Sequence, residues 1–527
     1  MAMLETGAMD NDQRAMHALN RLAFGPRPGD FEHVRAIGAE AYIHQQLRPE
    51  AIAIPDSMAE RMQEFSTLRM TPAAMFLEYE RPILMARREN PDQKRSLNSL
   101  RLRRFNVIRE AVAARLLRAI EGPRQLQEVM TAFWFNHFNI FAGKGLCAIW
   151  TGSFEQQAIR PHTMGRFRDL LGATARHPAM LFYLDNWQNT APGSPGANQR
   201  FDGINENYAR ELMELHTLGV NGGYTQSDVI ALAYILTGWG LPKVGVEVFR
   251  NRPFMRRWMK SRFDAPRRPT YATGDAFYFD PDRHDFSSKT LLGHTIEGGG
   301  AHEVEQALDL LARHPSTAKH LSYQLAQYFV ADEPPPALVA RMTSTYEESD
   351  GDIRAVLSSM FTSPEFWDRR HFRAKYKTPY EYVISSVRAT GAPVRNIRPL
   401  AGTMQLLGMP LYGCQTPNGY SDRQDAWLNP DSMMARLSFA TALGTGNLPL
   451  ECDPEDDAAG NRGYFNKRGT TNIKLGAGGP KMEPPDANAL TVALGNTFSA
   501  QTRDAIEAAP PRLRAAMVLG SPEFMMR

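Results

Sequence analysis

The stretch NENYARELMELHTLGVNGGYTQSDVIALAYILTGW, residues 205–239, carries a clear fold signal. Its first part places apolar side chains on one stripe of a helix and polar side chains on the others. Gly219 and the glycines that follow it then end that helix. Thr225 and Asp228 form the pattern of a capping box before a second apolar run. The stretch therefore predicts two consecutive helices joined by a glycine-rich turn.

The same helical period extends over most of the 527 residues. Residues 99–120 are typical of one long amphipathic helix, because apolar side chains recur every three or four positions. Strand-like alternation is weak and confined to VGVEVF and AFYFD, in and just after a basic excursion at 241–270. We therefore predict a mainly α-helical protein with two fused helical lobes, residues 1–240 and 301–527. Between them, residues 241–300 are predicted to form a small β-hairpin excursion.

Composition limits the classes of function. A formal net charge of +3, with 22% charged residues, gives no general affinity for nucleic acid or membranes. The three cysteines are far apart and have neither a disulfide framework nor a zinc-site spacing. No phosphate-binding loop or serine-hydrolase elbow is present. No apolar run could span a membrane and no signal peptide is visible, so a cytoplasmic location is the default expectation.

The first helix of the opening stretch also carries a candidate site. At about 100° per residue, Asn207, Glu211 and Glu214 fall within about 60° of one another, and Arg210 lies about 40° from Glu214. Glu211 and Glu214 could therefore be metal ligands or an acid–base pair, with Asn207 and Arg210 orienting them. The alternative is a solvated face with an Arg210–Glu214 ion pair worth roughly a few tenths of a kcal/mol. Spacing alone favours this alternative.

Two further segments place a histidine beside other polar groups. In WFNHFN, Asn136 and His137 stand among aromatic residues. An imidazole there could be a metal ligand or a general base, or a hydrogen-bonded core residue. In DRHDFSSK, His284 and Asp285 could be a ligand and its orienting carboxylate, and Lys289 could neutralise an anionic group of a substrate. An exposed turn is the alternative for this second segment.

Together these residues have the composition of a carboxylate-rich metal site with two histidines. We expect His137, Glu211 and His284 to bind a divalent metal, with Glu214 or Asp285 as the acid or base. That site would belong to a metal-dependent enzyme, a hydrolase or a tailoring enzyme that acts on a polymer or glycan. The rival hypothesis is a non-catalytic scaffold or binding partner of an envelope or secreted protein, with the basic excursion as its interface. A basic run of this kind is more often a solvated loop, so we do not expect a nucleic acid partner.

Several long motifs run through nearly the whole chain: the opening stretch, FWFNHFNIF, IRPHTMGRFRDLL, HPAMLFYLDN, RHDFSSKTLLG and SPEFW. They resemble a large bacterial family of uncharacterised proteins catalogued as domain of unknown function 1800. The resemblance implies a mostly helical architecture without an established activity. Many members carry export signals, and their genes often lie beside a second family that looks like sulfatases. A sulfatase-like protein is therefore the partner that the resemblance implies.

The resemblance also adds residues to the candidate site and marks departures from the family pattern. By its motifs, Asp185 is implied as an orienting residue and Arg160 as a substrate-binding residue. The family usually has a glycine in a His-Asp-x-Gly-x-Lys motif where this chain has Ser287, so a loop that needs a positive φ would be altered. The chain also shows no export signal, which puts an envelope location in doubt, and its basic excursion is longer than is common.

Overall fold

The computed structural model describes residues 8–89, 94–197, 202–242, 276–452 and 482–527. The predicted basic excursion at 241–270 therefore lies almost entirely outside the described residues, as does VGVEVF. Within the described ranges the protein is predominantly helical, as predicted. Among these residues no helix combines the length and apolar character that crossing a bilayer requires.

Helices make up most of the described chain before residue 242. They are α1 (Asn11–Leu22), α2 (Asp30–Ile37), α3 (Ala39–Gln46), α4 (Asp56–Gln63), α5 (Pro72–Met75), α6 (Arg81–Glu89), α7 (Lys94–Glu121), α8 (Gln125–His137), α9 (Cys147–Ser153), α10 (Phe167–Arg176), α11 (Pro178–Tyr183), α12 (Asn207–Glu214) and α13 (Gln226–Ile235). The predicted long helix is α7, with Ile108, Val112 and Leu116 buried. α8 is buried on nearly every side, which places it in the middle of the core.

The opening stretch forms the two predicted helices, but the first is shorter than its pattern suggests. α12 ends at Glu214, because the chain then tightens toward Gly219, whose φ of 82° lies in the left-handed region. His216 therefore lies in a turn and not on the helix. α13 begins after Thr225, and the side chains of Thr225 and Asp228 form the predicted capping box.

Two small antiparallel hairpins follow. β1 (Trp239–Gly240) pairs with β2 (Tyr278–Phe279), so the described chain enters and leaves the excursion on neighbouring strands. β3 (Lys289–Leu291) pairs with β4 (His294–Ile296), and the two intervening residues both have positive φ. Two consecutive residues with positive φ form the kind of tight turn whose backbone twist matches that of the two strands it joins. The predicted β excursion is confirmed in this form, and AFYFD supplies β2.

Helices resume at residue 301. They are α14 (Ala301–Arg313), α15 (Pro315–Phe329), α16 (Pro336–Glu348), α17 (Ile353–Phe361), α18 (Pro379–Thr390), α19 (Arg398–Leu406), α20 (Pro430–Gly444), α21 (Ala487–Ala493), α22 (Ala500–Ala508), α23 (Pro511–Leu519) and α24 (Pro522–Met525). Many begin with proline, which is preorganised for the first helical turn and lacks an N–H that would be unpaired there. One continuous cluster of buried apolar side chains joins helices from both ends of the chain.

Two buried arginines tie the first helices to the second half of the chain. The guanidinium of Arg21 donates to the carbonyl oxygen of His371 at 2.7 Å, across 350 positions of sequence. Arg388 in α18 donates through Nε to the carbonyl oxygen of Gly25 at 2.8 Å and through Nη1 to that of Ile120 at 2.7 Å. The end of α1 and the end of α7 are thereby fixed against α18.

Candidate functional site

The two glutamates of α12 are half-buried and carry the same charge. The hydroxyl of Tyr224 donates to Glu214 Oε2 at 3.3 Å, whereas the carboxyl of Glu211 receives no hydrogen bond from the described residues. Burial, reinforced by the charge of Glu214, raises the pKa of Glu211 above its usual range. Glu211 is therefore a carboxyl that holds a proton more readily than an exposed one.

Arg210 does not form the ion pair with Glu214 that helical spacing suggested. Its Nη2 reaches back along α12 to Glu206 Oε2 at 3.0 Å and also donates to Gln226 Oε1 at 2.9 Å. Gln226 in turn donates to Glu206 at 2.8 Å. Arg210 is therefore hydrogen-bonded to Glu206 and Gln226, and its positive charge acts on Glu211 without a direct bond.

Asn207 and Asp185, two of the predicted orienting residues, lie in adjoining segments. Asn207 Nδ2 donates to the carbonyl oxygen of Leu184 at 3.2 Å, which ties α12 to the residue before Asp185. Asp185 has a left-handed φ of 60°, and its Oδ2 accepts from Lys144 Nζ at 2.8 Å. No hydrogen bond among the described residues joins Asp185 to Glu211. Asn207 therefore holds the start of α12 against Leu184, and Asp185 is paired with Lys144.

His137 is enclosed by aromatic rings and by the turn after α12. Its Nε2 lies 3.1 Å from the carbonyl oxygen of His216, and its ring meets those of Trp134 and Phe138 edge-on. Burial, helped by the nearby His320, lowers the pKa of His137 to about 3, so the ring is neutral at neutral pH. An Nε2–H that donates to a carbonyl has no lone pair for a metal, and this geometry is that of a hydrogen-bonded core residue.

Asn136 and Arg160 are also engaged in contacts within the protein. Asn136 donates to the carbonyl oxygen of Tyr420 at 2.8 Å and accepts from the N–H of the same residue at 2.7 Å. Arg160 forms a two-pronged ion pair with Glu128 at 2.7 and 2.8 Å, and Glu155 lies 3.7 Å away. Asn136 thus holds a loop of the second half against α8, and Arg160 is paired with acidic side chains of the protein while only 13% of its own side chain is exposed.

His284 and Lys289 meet at Glu303, a glutamate that lies outside their motif. The fully buried carboxylate of Glu303 accepts from His284 Nε2 and from Lys289 Nζ, each at 2.8 Å. Burial opposes its charge, but these hydrogen bonds outweigh burial and lower the pKa of Glu303. His284 Nδ1 lies 2.8 Å from the carbonyl oxygen of Thr237, in the opening stretch. Both ring nitrogens of His284 therefore lie within hydrogen-bond distance of oxygen atoms of the protein.

Ser287, where the family usually has glycine, does not adopt a positive φ. Its N–H donates to Asp285 Oδ1 at 2.9 Å, and its hydroxyl donates to the same oxygen. Lys289 Nζ lies 3.2 Å from that oxygen as well. Burial of Asp285 opposes its charge, but these contacts outweigh burial and lower the pKa of Asp285. Asp285 is therefore an ionised carboxylate held by its own turn, and the serine stabilises the turn without backbone strain.

The described residues do not join the three predicted metal ligands into one site. No side-chain hydrogen bond or ion pair links His137, Glu211 and His284, each of which has its own surroundings. In the described parts of the chain, no group of three or more His, Cys, Asp and Glu side chains is arranged to hold a metal ion. Metal binding therefore stays a prediction, and Glu211 is the predicted ligand whose side chain receives no hydrogen bond from the described residues.

A concave site that sequence patterns do not reveal lies where α7 and α8 face the second half of the chain. It is small, with about 50 Å³ open to a water-sized molecule. Six aromatic rings line this aromatic cavity: Phe133, Phe135, Tyr328, Tyr380, Tyr412 and Tyr420. The polar and charged residues in its lining are Arg115, Asn136, Asn139, Thr378, Glu381 and Asp422. Apolar walls with a few polar groups are the usual composition of a ligand site.

Asp422 presents a half-buried carboxyl that receives no hydrogen bond from the described residues. Its backbone is fixed instead, because Lys375 Nζ donates to the Asp422 carbonyl oxygen at 2.7 Å and Asp332 Oδ2 accepts from the N–H of Gln424 at 2.8 Å. Burial raises the pKa of Asp422 to about 6, although the charge of Lys375 opposes the rise. A fixed carboxyl that titrates near neutral pH suits general acid–base chemistry.

Arg115 supplies a fixed positive charge in the lining of the aromatic cavity. Its Nη1 lies 3.2 Å from Glu155 Oε2, and the hydroxyl of Tyr412 donates to the same oxygen at 2.9 Å. The guanidinium carbon also lies 5.0 to 5.3 Å from the ring centres of Phe135, Tyr380 and Tyr412. Glu155 stands in a π-helical turn after α9, a distortion that recurs at functional sites.

Asp422, Arg115 and Glu303 differ in whether a sequence pattern indicates their role. Asp422 stands in an irregular loop, and Arg115 is one of many basic residues on α7, so neither leaves a pattern. Glu303 does leave one, because it lies three residues after Gly300, where a glutamate caps a helix. The N–H of Gly300 donates to Glu303 Oε1 at 2.9 Å. The capping role is local, whereas the pairing of Glu303 with His284 and Lys289 is not.

Comparison with known proteins gives a family. Neither the curated proteins nor the solved structures contain a match to this chain. A family model described as "Protein of unknown function (DUF1800)" matches residues 17–526, which is nearly the whole chain. The resemblance carried by the motifs is therefore confirmed, and the chain belongs to the DUF1800 family.

Proposed function

We propose that this protein is an enzyme that uses general acid–base chemistry on a polymer or glycan, as a hydrolase or tailoring enzyme, with the aromatic cavity as its active site. The observation that carries the proposal is the carboxyl of Asp422. It lines the cavity on a fixed backbone and receives no hydrogen bond from the described residues, and burial raises its pKa to about 6. A group that titrates near the working pH can both give and take a proton efficiently.

Other groups of the aromatic cavity supply binding. The rings of Phe133, Tyr328 and Tyr420 offer apolar faces against which a sugar or similar ring could pack. Arg115 is a permanent cation whose position is fixed by Glu155, so it could stabilise negative charge that develops on a substrate. Because only about 50 Å³ of the cavity is open to a water-sized molecule, a polymer would reach Asp422 with a chain end or a side group.

Asp422 would act in two protonation states. As the acid, it would donate its proton to the oxygen that departs when a glycosidic or ester bond breaks. The resulting carboxylate would take a proton from the water that completes the hydrolysis, which regenerates the acid.

Asp422→Asn tests this assignment in a panel of 4-nitrophenyl glycosides, esters and sulfates, assayed over a pH range centred near 6. We expect kcat to fall by about 10²- to 10⁴-fold, because an amide cannot transfer the proton. Asp425→Asn is the matched control: it lies in the same loop with 69% of its side chain exposed, and we expect it to keep its activity. Equal activity in the two variants would remove Asp422 from the mechanism.

The same variant has a readout that needs no substrate. Burial raises the pKa of Asp422, so the ionised carboxylate destabilises the folded state at pH values above about 6. This effect disappears as the pH falls below the ordinary aspartate value of about 4, where both states are protonated. Asp422→Asn should therefore raise the free energy of unfolding by about 2 kcal/mol at neutral pH, with no gain in acid. Urea unfolding at several pH values measures the difference.

Glu211 is a second candidate for the acid, because its carboxyl also receives no hydrogen bond from the described residues and its pKa is raised. Glu211→Gln belongs in the same panel. Activity that depends on Glu211 and not on Asp422 would move the proposed site to α12.

A further inference from the structure

A second cleft lies at the C-terminal end of α7 and shares no lining residue with the aromatic cavity. Arg27, Arg61, Arg388 and Arg395 line it, together with Glu121, and we call it the arginine cleft. About 370 Å³ of it is open to a water-sized molecule. Ile120, Ala392 and Pro393 supply an apolar part of its lining.

Two of the four arginines build the frame of the arginine cleft. Arg388 is buried and, besides the two carbonyl oxygens already described, forms an ion pair with Asp30 at 3.1 Å. Arg61 Nη1 contacts the two carboxylate oxygens of Glu121 at 2.7 and 2.6 Å, and its Nη2 donates to the carbonyl oxygen of Val394 at 2.5 Å. These guanidiniums are therefore used within the protein.

The other two arginines keep most of their donors free. Arg27 donates through Nη1 to the carbonyl oxygen of Glu121 at 3.0 Å, and Asp30 lies 3.9 Å from its Nε. Arg395 is exposed, and its guanidinium has no hydrogen bond or ion pair with the described residues. Because a guanidinium carries several N–H groups in a planar fork, both side chains can bind a carboxylate, sulfate or phosphate group.

The local charge also favours an anion. Four guanidiniums stand against the carboxylates of Glu121 and Asp30, which leaves two positive charges in excess. Burial lowers the pKa of Arg388 to about 10, so even the most buried of the four is charged at neutral pH. Arg27 and Arg388 already satisfy carbonyl groups at the end of α7, and the excess charge remains after that pairing.

We propose that the arginine cleft binds an organic anion, with its acidic headgroup between Arg27 and Arg395 and an apolar body against Ile120, Ala392 and Pro393. This site goes beyond the proposed function, because neither its residues nor its ligand are those of the aromatic cavity. The headgroup would form charge-assisted, two-pronged hydrogen bonds, and the apolar body would leave water as it covers the lining.

Calorimetric titration of the full chain tests the proposal with three probes. Octanoate has both halves of the predicted ligand, octanol has only the apolar body, and inorganic phosphate has only the charge. We expect octanoate to bind at least about tenfold more tightly than either of the others, because each lacks one set of contacts. High salt should weaken the binding of octanoate, since the interaction is partly electrostatic.

Arg395→Gln should lower the affinity for octanoate by about tenfold, because the substitution removes one charged donor. Arg101→Gln is the matched control, since Arg101 is an exposed arginine on α7 about 28 Å from the arginine cleft. Both variants should unfold at the wild-type temperature, because both side chains are exposed. The proposal is overturned if octanoate does not bind, if octanol binds equally well, or if Arg101→Gln loses as much affinity as Arg395→Gln.

Discussion

At the scale of single residues, Lys289 and Glu303 place opposite charges where neither would be stable alone. Their side chains are 5% and 0% exposed. Removing one partner leaves the other buried without its counter-charge. We expect Lys289→Met to lower the free energy of unfolding by about 3 to 5 kcal/mol, measured by urea unfolding.

The double variant Lys289→Met, Glu303→Leu is the control for this ion pair. An apolar pair needs no counter-charge, so the double variant should recover part of the loss, although His284 then lacks an acceptor. A single variant that loses less than about 1 kcal/mol would show that solvent reaches the pair and screens it.

At the scale of elements, Gly298 and Gly299 are neighbours with opposite steric limits in the turn before α14. A Cβ on Gly298 would lie 1.8 Å from the carbonyl oxygen of Phe286, whereas a Cβ on Gly299 would meet nothing nearer than 3.8 Å. Gly298→Ala must push this turn away from the segment that carries His284. We expect a loss of about 2 to 4 kcal/mol for Gly298→Ala and a change within about 0.5 kcal/mol for Gly299→Ala. Thermal unfolding of both variants measures the contrast, and equal shifts would contradict it.

The sequence predicts those helices and turns whose formation depends on residues close together in the chain. α7 follows from its apolar period, and the start of α13 follows from its capping box. The hairpin of β3 and β4 has no such signal, because its turn puts Leu292 at a positive φ of 51°. The N–H of Leu292 donates to Asp228 Oδ1 at 2.7 Å, a contact between distant segments that helps hold the turn in place. A conformation that depends on such a contact cannot be read from the turn residues.

At the scale of the whole molecule, the candidate sites also divide into those that local sequence motifs indicate and those that depend on contacts between distant segments. Motifs drew attention to His284 and Lys289, and both side chains bond to the same carboxylate, that of Glu303. Arg115 and Asp422 are brought to one cavity by helices and a loop from distant parts of the chain. Residue types and spacing carry no distances between such parts, so the aromatic cavity emerges only from the packed fold.

The metal prediction is also tested on the whole molecule, by elemental analysis of the purified protein. Glu211 and His284 have separate surroundings in the described residues, so we expect any bound metal to respond to only one of the variants Glu211→Ala and His284→Ala. If each of the two variants loses the same stoichiometric metal while remaining folded, the two side chains share a site.

The hydrogen bond from Arg21 to His371 has a consequence during synthesis. A ribosome that adds about 5 to 20 residues per second needs roughly 20 to 70 s to make the 350 positions between them. During that interval α1 can pack against α2 and α3. The surface around Arg21 stays uncovered, because the segment that contains His371 has not yet been translated. The nascent first half therefore exposes an incomplete apolar face for many seconds before its partner segment is made.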